Sequence, residues 1–271
     1  MGDHSISQIE HSVGAAVLRV LQTADPSEKV FAARYAAREW RQGRLHHDFP
    51  VSMPPNPACP EKPELLRPRE MPRRGKGSSV TKRTALIHAL AHIEFVAIDL
   101  AFDLIGRFGS QFSPEFVDDW MRVGAEEAMH FVLLNRRLRE MDSFYGALPA
   151  HQGLWDAAQD TAHDASARLA IVPMVLEARG LDVTLETVKK FDQQGDPLTA
   201  KVLNRIYHDE INHVHYGTKW FEYCCKKQNQ NPFEHWKSLV KTHFSGGLKP
   251  PFNDSARHAA GLTQEYYLGI E

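Results

Sequence analysis

The sequence predicts an all-α protein whose centre is a bundle of four long helices. Apolar residues recur at helical spacing over long stretches, and strand-like alternation is nearly absent. Two long segments each carry a Glu-x-x-His on their apolar stripe, and two others carry a lone glutamate in the equivalent place.

The elements follow in order. Residues from about 5 to 23 have helical periodicity, and "PSEKVFAARYAAREWRQG" reads as a second helix starting near Pro26. These two form N-terminal helices over 1–45 that pack on the bundle. Residues 46–78 hold eight prolines between Pro50 and Pro72, a density that rules out regular helix or central strand. This segment reads as an extended strap over the surface. Its basic end, "RPREMPRRGKGS", suits a solvated linker better than a phosphate contact, and its "GKG" completes no phosphate-loop pattern.

The bundle occupies 79–228. Its first helix runs from about Ser79 to Arg107, where Gly106 and Gly109 break it. The second opens with Ser113 as cap and Pro114 at the first helical position, and runs to about Glu140. The third runs from about Gln152 to Arg179, with Gly180 as its stop and Pro173 forcing a kink or bulge inside it. Thr184 caps a short helix ending near Gln194. The fourth opens with Asp196-Pro197 and continues to about Lys227. A C-terminal helix near 232–243 leads into "SGGLKPPFNDSARHAAGL", an irregular tail with a further helical turn or two; together they fill 229–271.

A helix of about 27 residues is roughly 40 Å long. The link from Met141 to His151 spans roughly 35–40 Å when extended. That length allows an end-to-end crossing, which an up-down-up-down bundle does not need.

Bulk properties narrow the partners. The 271 residues carry a net charge of −2, so no strong field favours nucleic acid or a membrane surface. No apolar run reaches the roughly 18–20 residues of a spanning helix. The N-terminus lacks the basic start and apolar block of a secretory leader. Cys59, Cys224 and Cys225 form neither a disulfide framework nor a zinc pattern. The expected setting is the cytoplasm or an organelle matrix, with reduced thiols.

The chemistry lies in the four long helices. Residues three apart share a helix face, so Glu127 aims with His130, and Glu210 with His213. Within about 40° of Glu127 on a helical wheel lie Trp120, Val123, Phe131 and Leu134. Leu203, Ile206, Val214 and Gly217 flank Glu210 in the same way, so both pairs face a core. Glu94 aligns with Ile87, Leu90 and Ile98, and Glu177 with Ala170, Pro173 and Leu181. Glu94 and Glu127 are 33 residues apart, as are Glu177 and Glu210. Four carboxylates in a core repel each other and lose hydration, at several kcal/mol each. Two divalent cations cancel that charge and take the two imidazoles as neutral ligands. The predicted metal ligands are therefore Glu94, Glu127, His130, Glu177, Glu210 and His213. The donor set suits iron, manganese or a mixed manganese–iron pair, and zinc also fits. Glu126 and Asp209 each precede a ligand glutamate and are placed to take the second ring N–H of the other pair's histidine. Tyr207, one turn before Glu210, borders the site.

Other polar residues have simpler readings. His88, His92, Asp99 and Asp103 lie at least about 120° from Glu94 and are expected to contact the strap or the N-terminal helices. His208 and His215 are expected on a solvated or packing face. Arg168 and Arg179 are candidates for anchoring an anionic substrate, with surface pairing the simpler reading.

With these residues in place, the sequence resembles the ferritin-like di-iron carboxylate superfamily, whose ligand set the six positions match. More closely, "HALAHIEFVAIDLAFD", "LPAHQGLWDAA", "RLAIVPMVLEARGLDVT" and "HDEINHVHYGTKWF" resemble an uncharacterised ferritin-like family labelled domain of unknown function 455. That resemblance covers about residues 60–262. It implies a ferritin-like fold and a dinuclear metal site, without a settled reaction.

The expected function is an O2-activating oxidoreductase, a hydroxylase or oxidase, acting on a small-molecule or tethered substrate with an external electron donor. Two ferrous ions about 3.5–4 Å apart suit that chemistry. Iron binding with ferroxidation is the alternative, although about seventy residues precede the first bundle helix, unlike a compact storage subunit. Peroxide reduction of the rubrerythrin kind lacks rubredoxin-like cysteine pairs here. A tRNA-modifying hydroxylase finds support only in the basic strap end. A homodimer fits the sequence as well as a monomer.

Overall fold

The computed structural model describes residues 10–67, 70–71 and 79–270. Most of the basic strap end lies outside the described residues. Helix makes up 70% of the structure and strand 2%, which settles the all-α class. The chain divides into two compact units, Met1–Gly153 and Leu154–Glu271. The segment expected to form one bundle is thus shared between them, with one long helix pair in each.

The first unit begins with α1 (Val13–Leu21), capped by Ser12, and α2 (Pro26–Arg41), where Asp25 accepts from the backbone N–H groups of Ser27 and Glu28. The Pro-rich strap follows, without regular helix among its described residues. It ends in β1 (Leu65–Leu66), which pairs in parallel with β2 (Ala150–His151). Between the two strands lie α3 (Val80–Phe108) and α4 (Pro114–Glu140). Ser79 caps α3 through the N–H of Lys82. Ser113 precedes α4 without a side-chain capping bond, leaving Pro114 as the local signal that starts it.

The α3 and α4 helices form an antiparallel hairpin. Phe95 packs on Phe131 with ring centroids 5.2 Å apart, and further along Phe102 seats against Gly124. A Cβ on Gly124 would lie 2.5 Å from the Phe102 ring, so glycine sets this close approach. The α3 helix is long and apolar enough to pass for a membrane span by length and composition, although Glu94, Asp99 and Asp103 interrupt its apolar run. Yet 67% of that stretch is buried within the protein, as in a core helix.

The polar residues of α3 hold its surroundings in place. Asp99 forms a buried ion pair with Lys29 of α2, and the Lys29 ammonium also donates to Ala58 O at 3.2 Å. Burial pushes the Asp99 carboxyl up to about 7 even beside that ammonium. Asp103 binds Arg107, whose guanidinium donates to Pro54 O in the strap. These contacts match the expected role of Asp99 and Asp103.

His88 and His92 instead hold the link after α4. The Nε2 of His88 accepts from Gly146 N at 2.9 Å. The Nε2 of His92 faces His151 O at 3.2 Å, and a carbonyl can only accept, so Nε2 carries the proton. Nδ1 therefore accepts from the Tyr145 hydroxyl at 2.9 Å. Burial lowers the His92 pKa to about 4, which keeps the ring neutral for this role.

The second unit corrects the reading of helix three. In place of one helix from Gln152 to Arg179, α5 (Gly153–Asp160) stops and α6 (Ala165–Ile171) restarts after Asp164 caps the N–H of Ser166. The Thr161 hydroxyl turns back to Ala157 O at 2.8 Å, a local bond that competes with helix continuation. The buried Arg168 donates to Thr161 Oγ1 and to Ala158 O across the break. A π-helical turn, Val172–Glu177, follows α6 and runs directly into α7 (Ala178–Gln193). Gly180 does not stop the helix, and Thr184 caps nothing. The stop is Gly195, whose φ of 75° lies in the left-handed region. A lone glycine costs a helix only about 1 kcal/mol, and the next turn is held by tertiary bonds to Leu181 and Asp182.

The remaining elements are α8 (Pro197–Lys227), α9 (Pro232–His243), α10 (Asp254–Ala259) and α11 (Gln264–Tyr267). Asp196 caps α8 through Thr199, and Asn231 caps α9.

Lys29→Met should reveal how much the first unit depends on its buried ion pair. The expected loss at pH 9 is about 3–5 kcal/mol of unfolding free energy, because Asp99 is left buried without its ammonium. The loss should shrink at pH 5: a carboxyl raised above its ordinary 3.8 adds stability at low pH that fades as pH rises through its folded value. Lys29→Met/Asp99→Leu should recover most of the loss in urea titrations. Equal losses at both pH values would show that charge is not the cause.

Candidate metal centre

In the first unit, α3 supplies Glu94, and α4 supplies Glu127 and His130. The three are buried, with exposures of 6%, 1% and 0%. His130 Nδ1 lies 3.1 Å from Glu94 Oε2 and 3.4 Å from Glu127 Oε2. All three offer ligand atoms within 4.8 Å of one another. The hairpin's register produces this, since Phe95 and Phe131, the residues directly following Glu94 and His130, are packed together. One imidazole is thus shared by two buried carboxylates. Protonating the ring balances one negative charge and leaves the other, whereas a divalent cation at the same point balances both.

In the second unit, α8 carries Glu210 and His213, buried at 9% and 0%. His213 Nδ1 lies 3.5 Å from Glu210 Oε1, close to the 3.4 Å of His130 and Glu127. Both Glu-x-x-His turns therefore present the same ring nitrogen to their own carboxylate, leaving Nε2 on the far side of each ring.

Glu177, half-buried, is the last residue of the π-helical turn. Pro173 explains that turn: it has no N–H for an α-helical bond, and its ring collides with the preceding turn, so the chain widens. Gly217 of α8 makes room, because a Cβ there would lie 2.5 Å from the proline side chain. The π turn changes the phase of the helix, so the expected wheel alignment of Glu177 with Ala170 does not carry through it. Glu177 shares a regular helical register with Leu181.

The flanking acids have arginine partners one turn back. Glu126 accepts from Arg122 Nε at 3.0 Å, and Asp209 from Arg205 Nε at 2.7 Å. Tyr207 is buried, and its hydroxyl accepts from Asn253 Nδ2 at 3.1 Å. His208 and His215 are exposed, as expected. Arg168 is enclosed and bound to its own unit, not a surface residue. Arg179 donates to Lys249 O at 2.7 Å in the tail. Asn253 was not singled out from sequence; the only signal was its place in the "KPPFNDSAR" motif.

One family profile matches residues 22–268, and its description reads "Protein of unknown function (DUF455)". A relative from Haemophilus influenzae (strain ATCC 51907 / DSM 11121 / KW20 / Rd), itself named "Uncharacterized protein", is 41% identical over 227 residues, covering 80% of this chain and 78% of its own. No solved structure matches the chain.

The crowding of acids predicts that function opposes stability here. Glu127→Leu should stabilise the protein in the presence of a chelator, by about 1–4 kcal/mol in urea unfolding, because it removes a buried like charge. A loss of stability would show that the carboxylate contributes through protein contacts alone.

Proposed function

The chain belongs to the DUF455 family, whose description assigns no reaction, and from its residues we propose that it is a ferritin-like dinuclear metal protein that activates dioxygen. Glu94, Glu127, His130, Glu177, Glu210 and His213 together hold two divalent cations. The carrying observation is a pair of buried Glu-x-x-His turns, each with Nδ1 facing its own carboxylate, the first of them joined by Glu94 from the neighbouring helix. Four carboxylates offset two divalent charges, and neutral imidazoles complete the donors. This oxygen-rich set with nitrogen favours iron or manganese over a thiol-seeking metal.

Iron held by these six side chains would supply electrons for the reduction of dioxygen. The chain's own residues set the conditions. Phe95, Phe131 and Tyr145, from positions next to Glu94 and His130 and from the link after α4, form a cluster of tilted and edge-on rings that would keep that part of the site apolar. The Nε2 atoms of His130 and His213 carry the ring protons when Nδ1 ligates, fixing the tautomer. Glu126 and Asp209 are the proposed acceptors of those protons, each for the histidine of the other pair, a role that competes with their contacts to Arg122 and Arg205. The substrate would be a small or tethered organic molecule that gives up two of the four electrons needed to reduce dioxygen, an external donor supplying the other two. The setting is the cytoplasm or an organelle matrix.

Anaerobically purified protein should bind two Fe(II) or Mn(II) per chain. At about 100 times the dissociation constant, a bound metal adds about 2.7 kcal/mol of stability. Admitting oxygen to the iron form should produce an optical band of an oxidised iron pair, and Glu127→Leu or Glu210→Leu should abolish it. A chain that stays metal-free, with an unchanged melting temperature in Fe(II) and Mn(II), would overturn the proposal. Accumulation of many irons per chain would redirect it to storage.

A further inference from the structure

The tail motif binds the two helices of the second unit at one level. Asn253 Nδ2 donates to Leu181 O on α7 and to the Tyr207 hydroxyl on α8, both at 3.1 Å. Leu181 lies one turn after Glu177, and Tyr207 one turn before Glu210, so each contact is on the face of a ligand glutamate. Asn253 is held in turn. Its backbone N–H donates to Asp182 Oδ1 at 2.9 Å. Arg257 grips both oxygens of Asp182, at 2.8 and 2.7 Å. The Arg257 guanidinium also lies against Phe252 and Tyr267, 4.8 and 4.7 Å from the ring centroids. The Asp182 side chain is fully buried and Arg257 is 2% exposed, so this clamp is a bidentate ion pair shielded from water.

We propose that Asn253 is a positioning residue for the second unit's ligands, setting the separation of Glu177 from Glu210. The inference rests on the metal-binding reading above. A π turn has poorer hydrogen-bond geometry than the helix around it, so the residue ending it needs an external reference. Asn253 provides one by measuring α7 against α8 one turn away. Metal sites need ligand geometry held to within about 0.5 Å, which a cross-helix bond of this kind supplies.

The two ends of the Asn253 side chain can be separated by substitution. Oδ1 caps α10 by accepting from Ala256 N at 3.2 Å, whereas Nδ2 makes both cross-helix bonds. Asn253→Asp keeps the capping acceptor and removes the donor to Leu181 O. Mn(II) titration followed by electron paramagnetic resonance reads the outcome. The parent should show the signal of two interacting Mn(II) ions. Asn253→Asp should bind one Mn(II) about 10-fold or more weakly, the size of effect known for groups that orient ligands. Its spectrum should become that of isolated Mn(II). Tyr207→Phe, which removes one of the two bonds without touching the cap, should show a smaller loss. That variant also serves if Asn253→Asp does not fold.

A parent with two interacting ions and variants indistinguishable from it would overturn this inference alone. A parent that binds no Mn(II) would overturn it together with the metal-binding reading. A loss in melting temperature of the metal-free variant that fully accounts for weaker binding would mark Asn253 as structural only, and would also overturn it.

Discussion

The controlling constraint is charge held away from water. Several other buried carboxylates have a cationic partner: Asp99 has Lys29, Asp103 has Arg107, and Asp182 has Arg257. Around His130 the ratio differs, since two enclosed carboxylates share a single imidazole. A fold gains nothing from such an arrangement by packing alone, because apolar residues of similar volume are as stable or more so. The acid-rich turns therefore point to a cation as the missing term.

The two units brace their helix pairs differently. In the first, the N-terminal helices and strap lie along α3, and the link after α4 is fastened by His88 and His92. In the second, the C-terminal tail does the equivalent work through Asp182, Asn253 and Arg257. The equal offset of 33 residues between glutamates extends to the ring geometry of the histidines, but not to what surrounds each pair.

Much of this was legible in the sequence, for physical reasons. Helix starts at Ser79, Pro114 and Pro197 follow from caps and fixed proline dihedrals, which act locally. The Glu-x-x-His turns were legible because charge on an apolar stripe is costly. That Asp99 meets the N-terminal helices was readable from the wheel. Its partner Lys29, 70 residues away, was not, because nothing in local spacing encodes a distant contact. Gly180 misled because local propensity there is outweighed by tertiary bonds to Leu181 and Asp182. Pro173 announced a distortion, but not that the chain would resolve it as a π turn ending on a candidate ligand.

That resolution has an evolutionary corollary. The ring of Pro173 occupies the space that any side chain at position 217 would need. The two positions are therefore epistatic: an alanine at 217 is tolerated only where the proline has first been lost, and losing the proline removes the cause of the widened turn. The dependence runs one way: the proline and its widened turn require glycine at 217, whereas the glycine can outlast the proline.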